Sequence, residues 1–339
     1  MTIAADAGMA ADRPTGPMFT LEELHAAREV VGRVVPPTPQ YAWPLLGQEL
    51  GAEVWVKHED VTPTGAFKVR GGLVYIDRLA RERPHVAGVV SATRGNHGQS
   101  IALSGRTAGV AVTIVAPIGN SPDKNAAMRA FGATLVEHGH DYQAAREHAA
   151  ALAAQHGLEM VPSFHPDLVV GVATYAWELF QAVRDLDAVY VPVGMGSGIC
   201  ALMGVRDLLG LPTEIIGVVA DGAPATALSF EAGAVVSTER ADTFVDGVAC
   251  RVPDQGAMEE IRRGAARILR VPDDLTAEAI RVLHRTTHHM AEPAGAIATA
   301  GLMLERERQV GKRVAVVQTG GNLDAALLTE LLAGRTPSA

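Results

Sequence analysis

Four lysines stand in this 339-residue chain, Lys57, Lys68, Lys124 and Lys312, and arginine supplies the rest of its 29 Lys and Arg residues. Lys57 ends Val54-Trp55-Val56-Lys57 ahead of His58-Glu59-Asp60, a setting for a local ion pair. Lys124 opens a helical pattern and Lys312 follows a glycine before a strand, so both read as solvent-exposed. Lys68 is different. It follows Pro63-Thr64-Gly65-Ala66-Phe67 and precedes Val69-Arg70-Gly71-Gly72, which puts it in the first turn of a helix after a strand and a tight turn. Free N–H groups and the positive end of the helix dipole lower the pKa of an amine there. A desolvated lysine of lowered pKa is what Schiff-base chemistry needs. Spacing alone leaves a snorkelling surface lysine as the alternative.

Three more segments have chemical potential. Val193-Gly194-Met195-Gly196-Ser197-Gly198 follows an apolar run and opens a helix. Its glycines let the backbone approach an anion, and the helix N–H groups supply donors. A dinucleotide fingerprint needs Gly at the sixth position, where Ile199 stands, and an acid at the end of the next strand, whereas Glu214 stands at its start. A monophosphate fits better; a plain strand-to-helix turn is the alternative. Ser91-Ala92-Thr93-Arg94-Gly95-Asn96-His97-Gly98-Gln99 can hold a carboxylate through backbone and hydroxyl donors, and Asn96 can bond a phenolate or carbonyl oxygen. It can equally be a capped helix start with polar neighbours. Val317-Gln318-Thr319-Gly320-Gly321-Asn322 offers a hydroxyl and two glycines that a flat ring could approach.

The elements that position these segments alternate between short apolar runs and helical patterns from Glu53 onward. Strands are expected at 53–57, 86–91, 110–115, 134–137, 188–193, 214–219 and 313–318. Helices are expected at 67–83, 96–107, 122–131, 142–155, 170–184, 198–209, 276–289, 294–308 and 322–332. Such alternation means α/β architecture with parallel sheets and helices on both faces, whose ligands bind at the carboxyl ends of strands. Residues 1–17 read as a loose tail with no secretory signal.

Composition excludes several classes. A net charge of -9 provides no basic face for nucleic acid, and no basic run suggests a membrane surface. No apolar run approaches the roughly 20 residues of a membrane span. Cys200 and Cys250 lack any metal-finger spacing and read as reduced core residues of a cytoplasmic protein.

Taken in order, the four segments resemble the fold-type II pyridoxal-phosphate enzymes, most closely the threonine/serine dehydratases and serine racemases. Pro63 to Gly71 is similar to the family's Schiff-base segment, Gly95-Asn96-His97 to its Asn turn, Gly194 to Gly198 to its phosphate loop, and Thr319 to Asn322 to its ring-nitrogen segment. Asp246-Gly247-Val248 and Glu292-Pro293-Ala294-Gly295 are similar to two further signatures. The resemblance spans about Thr38 to Leu332. It implies a tryptophan synthase β-like fold of two open, twisted, mostly parallel sheets. The large domain would take 18–86 and 166–339, with a small domain at 87–165 inserted. It also implies pyridoxal 5'-phosphate as cofactor and a homodimer. Lys68 would carry the cofactor and act as base at Cα. Phe67 would lie near the ring, Asn96 would bond its hydroxyl, Gly194, Met195, Gly196, Ser197 and Gly198 would hold the phosphate, and Thr319 would face the ring nitrogen. Thr93, Arg94, Gly95 and His97 would bind the substrate carboxylate.

The implied reaction is β-elimination from a β-hydroxy amino acid such as L-threonine or L-serine, giving a 2-oxo acid and ammonia. A hydroxyl at the ring nitrogen makes the ring a weaker electron sink, which favours prompt loss of a β-leaving group. Three departures bear on this. Ala66 stands where the family usually has Ser. Arg94 stands where serine racemases carry a proton-donating Ser, and an arginine is a poor acid or base, which counts against racemisation. Only Asp221 is acidic within Val219 to Ala225, too few carboxylates for the divalent-cation site of some members. The planar fork of Arg94 could read a second carboxylate, as in 3-hydroxyaspartate; it could instead brace the loop against an acid elsewhere, leaving threonine, serine or phenylserine.

Overall fold

The computed structural model describes residues 18–338, so the expected tail at 1–17 lies outside the described residues. Ten strands run in chain order: β1 Gln40–Ala42, β2 Glu53–His58, β3 Val89–Ala92, β4 Val112–Ala116, β5 Thr134–Glu137, β6 Glu159–Met160, β7 Ala188–Pro192, β8 Glu214–Ala220, β9 Arg267–Val271 and β10 Arg313–Gln318. They form a six-stranded sheet of order β1-β2-β10-β7-β8-β9 and a four-stranded sheet of order β5-β4-β3-β6. Every pairing is parallel except β1 with β2. Among the described residues no helix is long and apolar enough to cross a membrane.

Burial explains the apolar runs. Every residue of β7, and all but the first of β8 and β10, is buried. Val189, Val191, Ile215, Ala315 and Val317 face one core, with helices Pro166–Ala182 and Ser197–Leu208. Their alternates Tyr190, Ile216, Val218, Val314 and Val316 face a second core, with helices Asp273–Thr287 and Pro293–Leu304. A sheet covered on both faces needs continuous rather than alternating hydrophobicity.

One crossing fixes the helix that begins at Lys68. Helices Lys68–Glu82 and Pro166–Ala182 meet backbone to backbone: a Cβ at Gly71 would stand 2.7 Å from the Leu168 carbonyl, and one at Gly171 would stand 2.4 Å from that of Arg70. This approach lets Arg70 bond Glu59 through Nε (2.7 Å) and Glu178 through Nη1 (2.7 Å), while Lys57 Nζ bonds Glu178 at 2.6 Å. Lys57 therefore pairs mainly across the chain, not locally, since Glu59 lies 4.0 Å away.

Some elements were not anticipated. Helix Leu21–Gly32 carries a complete capping box, Thr20 with Glu23, but lies upstream of the region where the apolar alternation starts. β1, β6 and β9, and helices Pro44–Leu50, Ala225–Ala232 and Gln255–Gly264, are likewise additional. The helix expected from Val170 begins at Pro166, because His165 caps it by accepting from Asp167 N at 3.1 Å.

Candidate active site

The loop before Lys68 is shaped by hydrogen bonds to the loop after β10. Phe67 N donates to the Thr319 carbonyl (2.9 Å), Gly321 N to Gly65 (2.9 Å), and Asn322 Nδ2 to Thr64 (2.8 Å). Gly65 takes φ 66, and a Cβ there would meet Asn322 Oδ1 at 2.5 Å, so both conformation and space call for glycine. The helix then starts at Lys68 with no side-chain cap. Burial, opposed by the charges of Glu292 and Asp246, lowers the Lys68 pKa, the state a nucleophilic amine needs. Lys68 is half-buried, and the charged and titratable groups near it are His97, Glu292 and Asp246.

Around Lys68 stand the other expected residues. Phe67 meets Tyr175 edge-on, with ring centroids 6.2 Å apart. Asn96 opens helix Asn96–Ala108; its Nδ2 donates to Glu292 Oε1 (2.7 Å) and its Oδ1 accepts from Asn322 Nδ2 (2.8 Å). Thr93 Oγ1 accepts from Gly95 N at 3.1 Å. The His97 Nε2 is buried without a hydrogen-bond partner, and burial, reinforced by Lys68, holds the ring's pKa down to about 3. Thr319 Oγ1 donates to the Ala294 carbonyl at 3.2 Å.

The phosphate-loop candidate has the required form. Helix Ser197–Leu208 follows Gly196, which takes φ 101, and no side chain caps its first N–H groups. Gly194 lies so close to Gly247 that a Cβ would stand 2.7 Å from its carbonyl, and Cys250 Sγ reaches Met195 Sδ at 3.7 Å. An uncapped helix start, a half-buried amine of lowered pKa, a buried imidazole nitrogen without a partner and a glycine-lined floor suit a phosphorylated aromatic aldehyde.

Arg94 takes the bracing contact that its sequence setting allowed, whereas Lys124 departs from its expected setting. Arg94 Nη1 pairs with Asp246 Oδ1 at 3.3 Å, with both side chains nearly half exposed. Lys124 is half-buried rather than exposed, because its stem lies over Gly95: a Cβ at Gly95 would stand 2.9 Å from Lys124 Cδ. Both basic residues line a polar cavity of about 190 Å³, together with Asn120, Ser121 and Asp246. Sequence reasoning also passed over Glu292 as a site residue, although its Glu-Pro-Ala-Gly signature had marked the segment. Its side chain is buried, and burial, partly offset by Lys124, Asn96 and Lys68, raises its pKa to about 7.

Asp221 follows β8 and pairs with Arg270 at 2.6 Å. Elsewhere among the described residues, His58, Asp60 and His289 have metal-ligand spacing. Trp43 Nε1 donates to His58 Nε2 at 3.1 Å, so the proton of a neutral His58 sits on Nδ1, facing Asp60 at 3.2 Å. That tautomer has no lone pair to offer a metal there. EDTA should therefore leave turnover and melting temperature unchanged; a loss restored by Mg²⁺ or Ca²⁺ would refute this.

Comparison with known proteins agrees with this geometry. Residues 31–320 match the family described as "Pyridoxal-phosphate dependent enzyme". The chain is 31% identical over 299 residues to the L-threo-3-hydroxyaspartate ammonia-lyase of Saccharomyces cerevisiae, covering 88% of this chain and 91% of that one. It is 29% identical over 316 residues to the L-threonine ammonia-lyase of Thermotoga maritima, covering 93% and 78%. Its fold is similar to the processed threonine deaminase isoform 2 of Solanum lycopersicum, with TM-score 0.86, 28% identity and 96% of each chain covered. The chain belongs to the pyridoxal-phosphate-dependent enzymes of fold type II, and it is a pyridoxal-phosphate-dependent ammonia-lyase.

Proposed function

We propose that the chain dehydrates and deaminates a β-hydroxy amino acid, with L-threonine, L-serine and 3-hydroxyaspartate as the candidate substrates. The observation that carries this reading is Lys68, a half-buried amine of lowered pKa at a helix start, beside His97 and Glu292. The cofactor, when bound through Lys68, would supply an electron sink for the bond broken at Cα. Asn96 and Thr319 would orient its ring, the uncapped N–H groups after Gly196 would hold its phosphate, and the Thr93 to His97 turn would take the substrate carboxylate. His97, neutral at working pH, would donate or accept a hydrogen bond without adding charge. Residues 87–165 would form a small domain whose loops close on the large one.

Arg94 divides the substrate readings. Its pairing with Asp246 favours the bracing role, while the net positive charge of the cavity with Lys124 favours an acidic side chain. We expect 2-oxo acid from a panel of L-threonine, L-serine, phenylserine and 3-hydroxyaspartate, with little racemisation. If Arg94 reads a side-chain carboxylate, Arg94→Ala should cost about 2–5 kcal/mol in kcat/KM on 3-hydroxyaspartate alone. An equal loss on all four, or a wild type inert to 3-hydroxyaspartate, removes that role.

We further read the chain as a cytoplasmic homodimer that binds no nucleic acid. The edge strand β1 and its surroundings present Tyr41, Leu45, Val61 and Met290, each more than 40% exposed, a grouping suited to a second copy. Sedimentation velocity should give twice the 35.5 kDa chain mass; a monomer at micromolar concentration would overturn this.

A further inference from the structure

Glu292 is the N-cap residue of helix Pro293–Leu304, yet its side chain makes no capping bond. A carboxylate at that position ordinarily turns back to the free N–H groups of its own helix. Here it enters the cleft instead. It accepts from Asn96 Nδ2 at 2.7 Å and lies over the glycine floor, where a Cβ at Gly320 would stand 2.6 Å from Oε1. The charged groups that face it are Lys68, Lys124 and Asp246, from three separate elements. No arginine or lysine forms an ion pair with it among the described residues. A buried carboxyl with one hydrogen bond and no paired cation is costly to ionise, so it keeps its proton to near-neutral pH.

Resting on the β-hydroxy amino acid reading, we infer that Glu292 is the acid that gives its proton to the departing β-hydroxyl. Dehydration removes a proton from Cα and hydroxide from Cβ. Lys68 takes the Cα proton, and the C–H electron pair forms the Cα–Cβ double bond. The Cβ–O pair leaves with the oxygen. The O–H bond of Glu292 breaks as the new O–H bond forms, and water departs. Lys68 is then an ammonium beside a Glu292 carboxylate, whose charge Asn96 and Lys124 stabilise. Passing the proton from Lys68 to Glu292 resets both groups and frees the amine to react again. Nothing beyond the substrate is consumed.

The test compares leaving groups on the holoenzyme. Hydroxide needs a proton to leave, whereas chloride does not. Glu292→Gln keeps the size and the acceptor for Asn96 but has no proton to give. It should lose L-serine elimination about 100-fold or more, and keep elimination from β-chloro-L-alanine within about threefold. The wild-type kcat/KM for L-serine should fall as pH rises past about 7, because the acid must hold its proton. That limb should be missing in the variant. Pyridoxal-phosphate affinity, measured on apoenzyme by fluorescence quenching, should be the same for both proteins. An equal loss on both substrates, or a weakened cofactor affinity, would make Glu292 a residue that merely shapes the site. Full L-serine activity in the variant would also overturn the inference. A wild type that eliminates chloride but accepts no β-hydroxy amino acid would instead sink the substrate reading, and the acid role with it.

Discussion

Lys68→Ala should abolish the visible imine absorbance of the holoenzyme and lower elimination by about 10⁴-fold or more, the scale seen when a covalent catalytic group is removed. The size of the effect follows from the position. Lys68 is the lysine that combines a helix start with a half-buried place beside His97 and Glu292, and its lowered pKa has burial as its first cause. Lys57 is more deeply buried, but its ammonium is committed to Glu178 and the Thr38 carbonyl. Lys124 reaches the cavity without entering the core. Borohydride reduction of the holoenzyme followed by peptide mapping should label Lys68 alone. Label on Lys57, Lys124 or Lys312 would refute the assignment.

What could be read from the sequence was governed by how local its physical cause is. The starts at Lys68, Asn96 and Ser197 were legible to within a residue, because a glycine-rich turn before an apolar helical repeat is a local signal. The extents of β5 and β10 were read as they stand. β6 escaped because a two-residue strand carries no period, and β9 because arginines interrupt its pattern in Arg-Ile-Leu-Arg-Val. The side-chain partners were not legible. Arg94 meets Asp246 across 152 residues, and Asn96 meets Glu292 across 196. Lys124 was read as exposed because its helix start is a surface feature, whereas its burial comes from Gly95, a neighbour only in the fold. The weak ring-nitrogen signal at Thr319 gained its meaning from the bonds that tie it to Phe67 and Gly65.

Arg70→Met should destabilise the protein by about 3–5 kcal/mol, the usual cost of removing one partner from a buried ion pair. The arithmetic of charge explains why. Lys57, Glu59 and Arg70 have fully buried side chains, and Glu178 is 17% exposed, so the quartet is neutral as a whole. Without Arg70, Lys57 alone faces two carboxylates in a medium that solvates neither well. Burial works against ionisation of Glu178, but Arg70 and Lys57 outweigh it and hold its pKa below the usual carboxylate range. A depressed carboxylate pKa stabilises the fold above the unfolded value and loses that contribution as pH falls through the folded one. The gap between wild type and variant should therefore be full at pH 7 and shrink on acidification below about pH 4. Denaturant melts at several pH values measure it; a pH-independent gap, or one under about 1 kcal/mol, would show that the quartet does not act as a charge unit. The same variant should bind pyridoxal phosphate more weakly. Arg70 sits two residues beyond Lys68 and ties the start of that helix to β2 through Glu59 and to helix Pro166–Ala182 through Glu178 and Thr174. Releasing that tie lets the first turn shift, and an amine that must meet a fixed carbonyl tolerates little displacement.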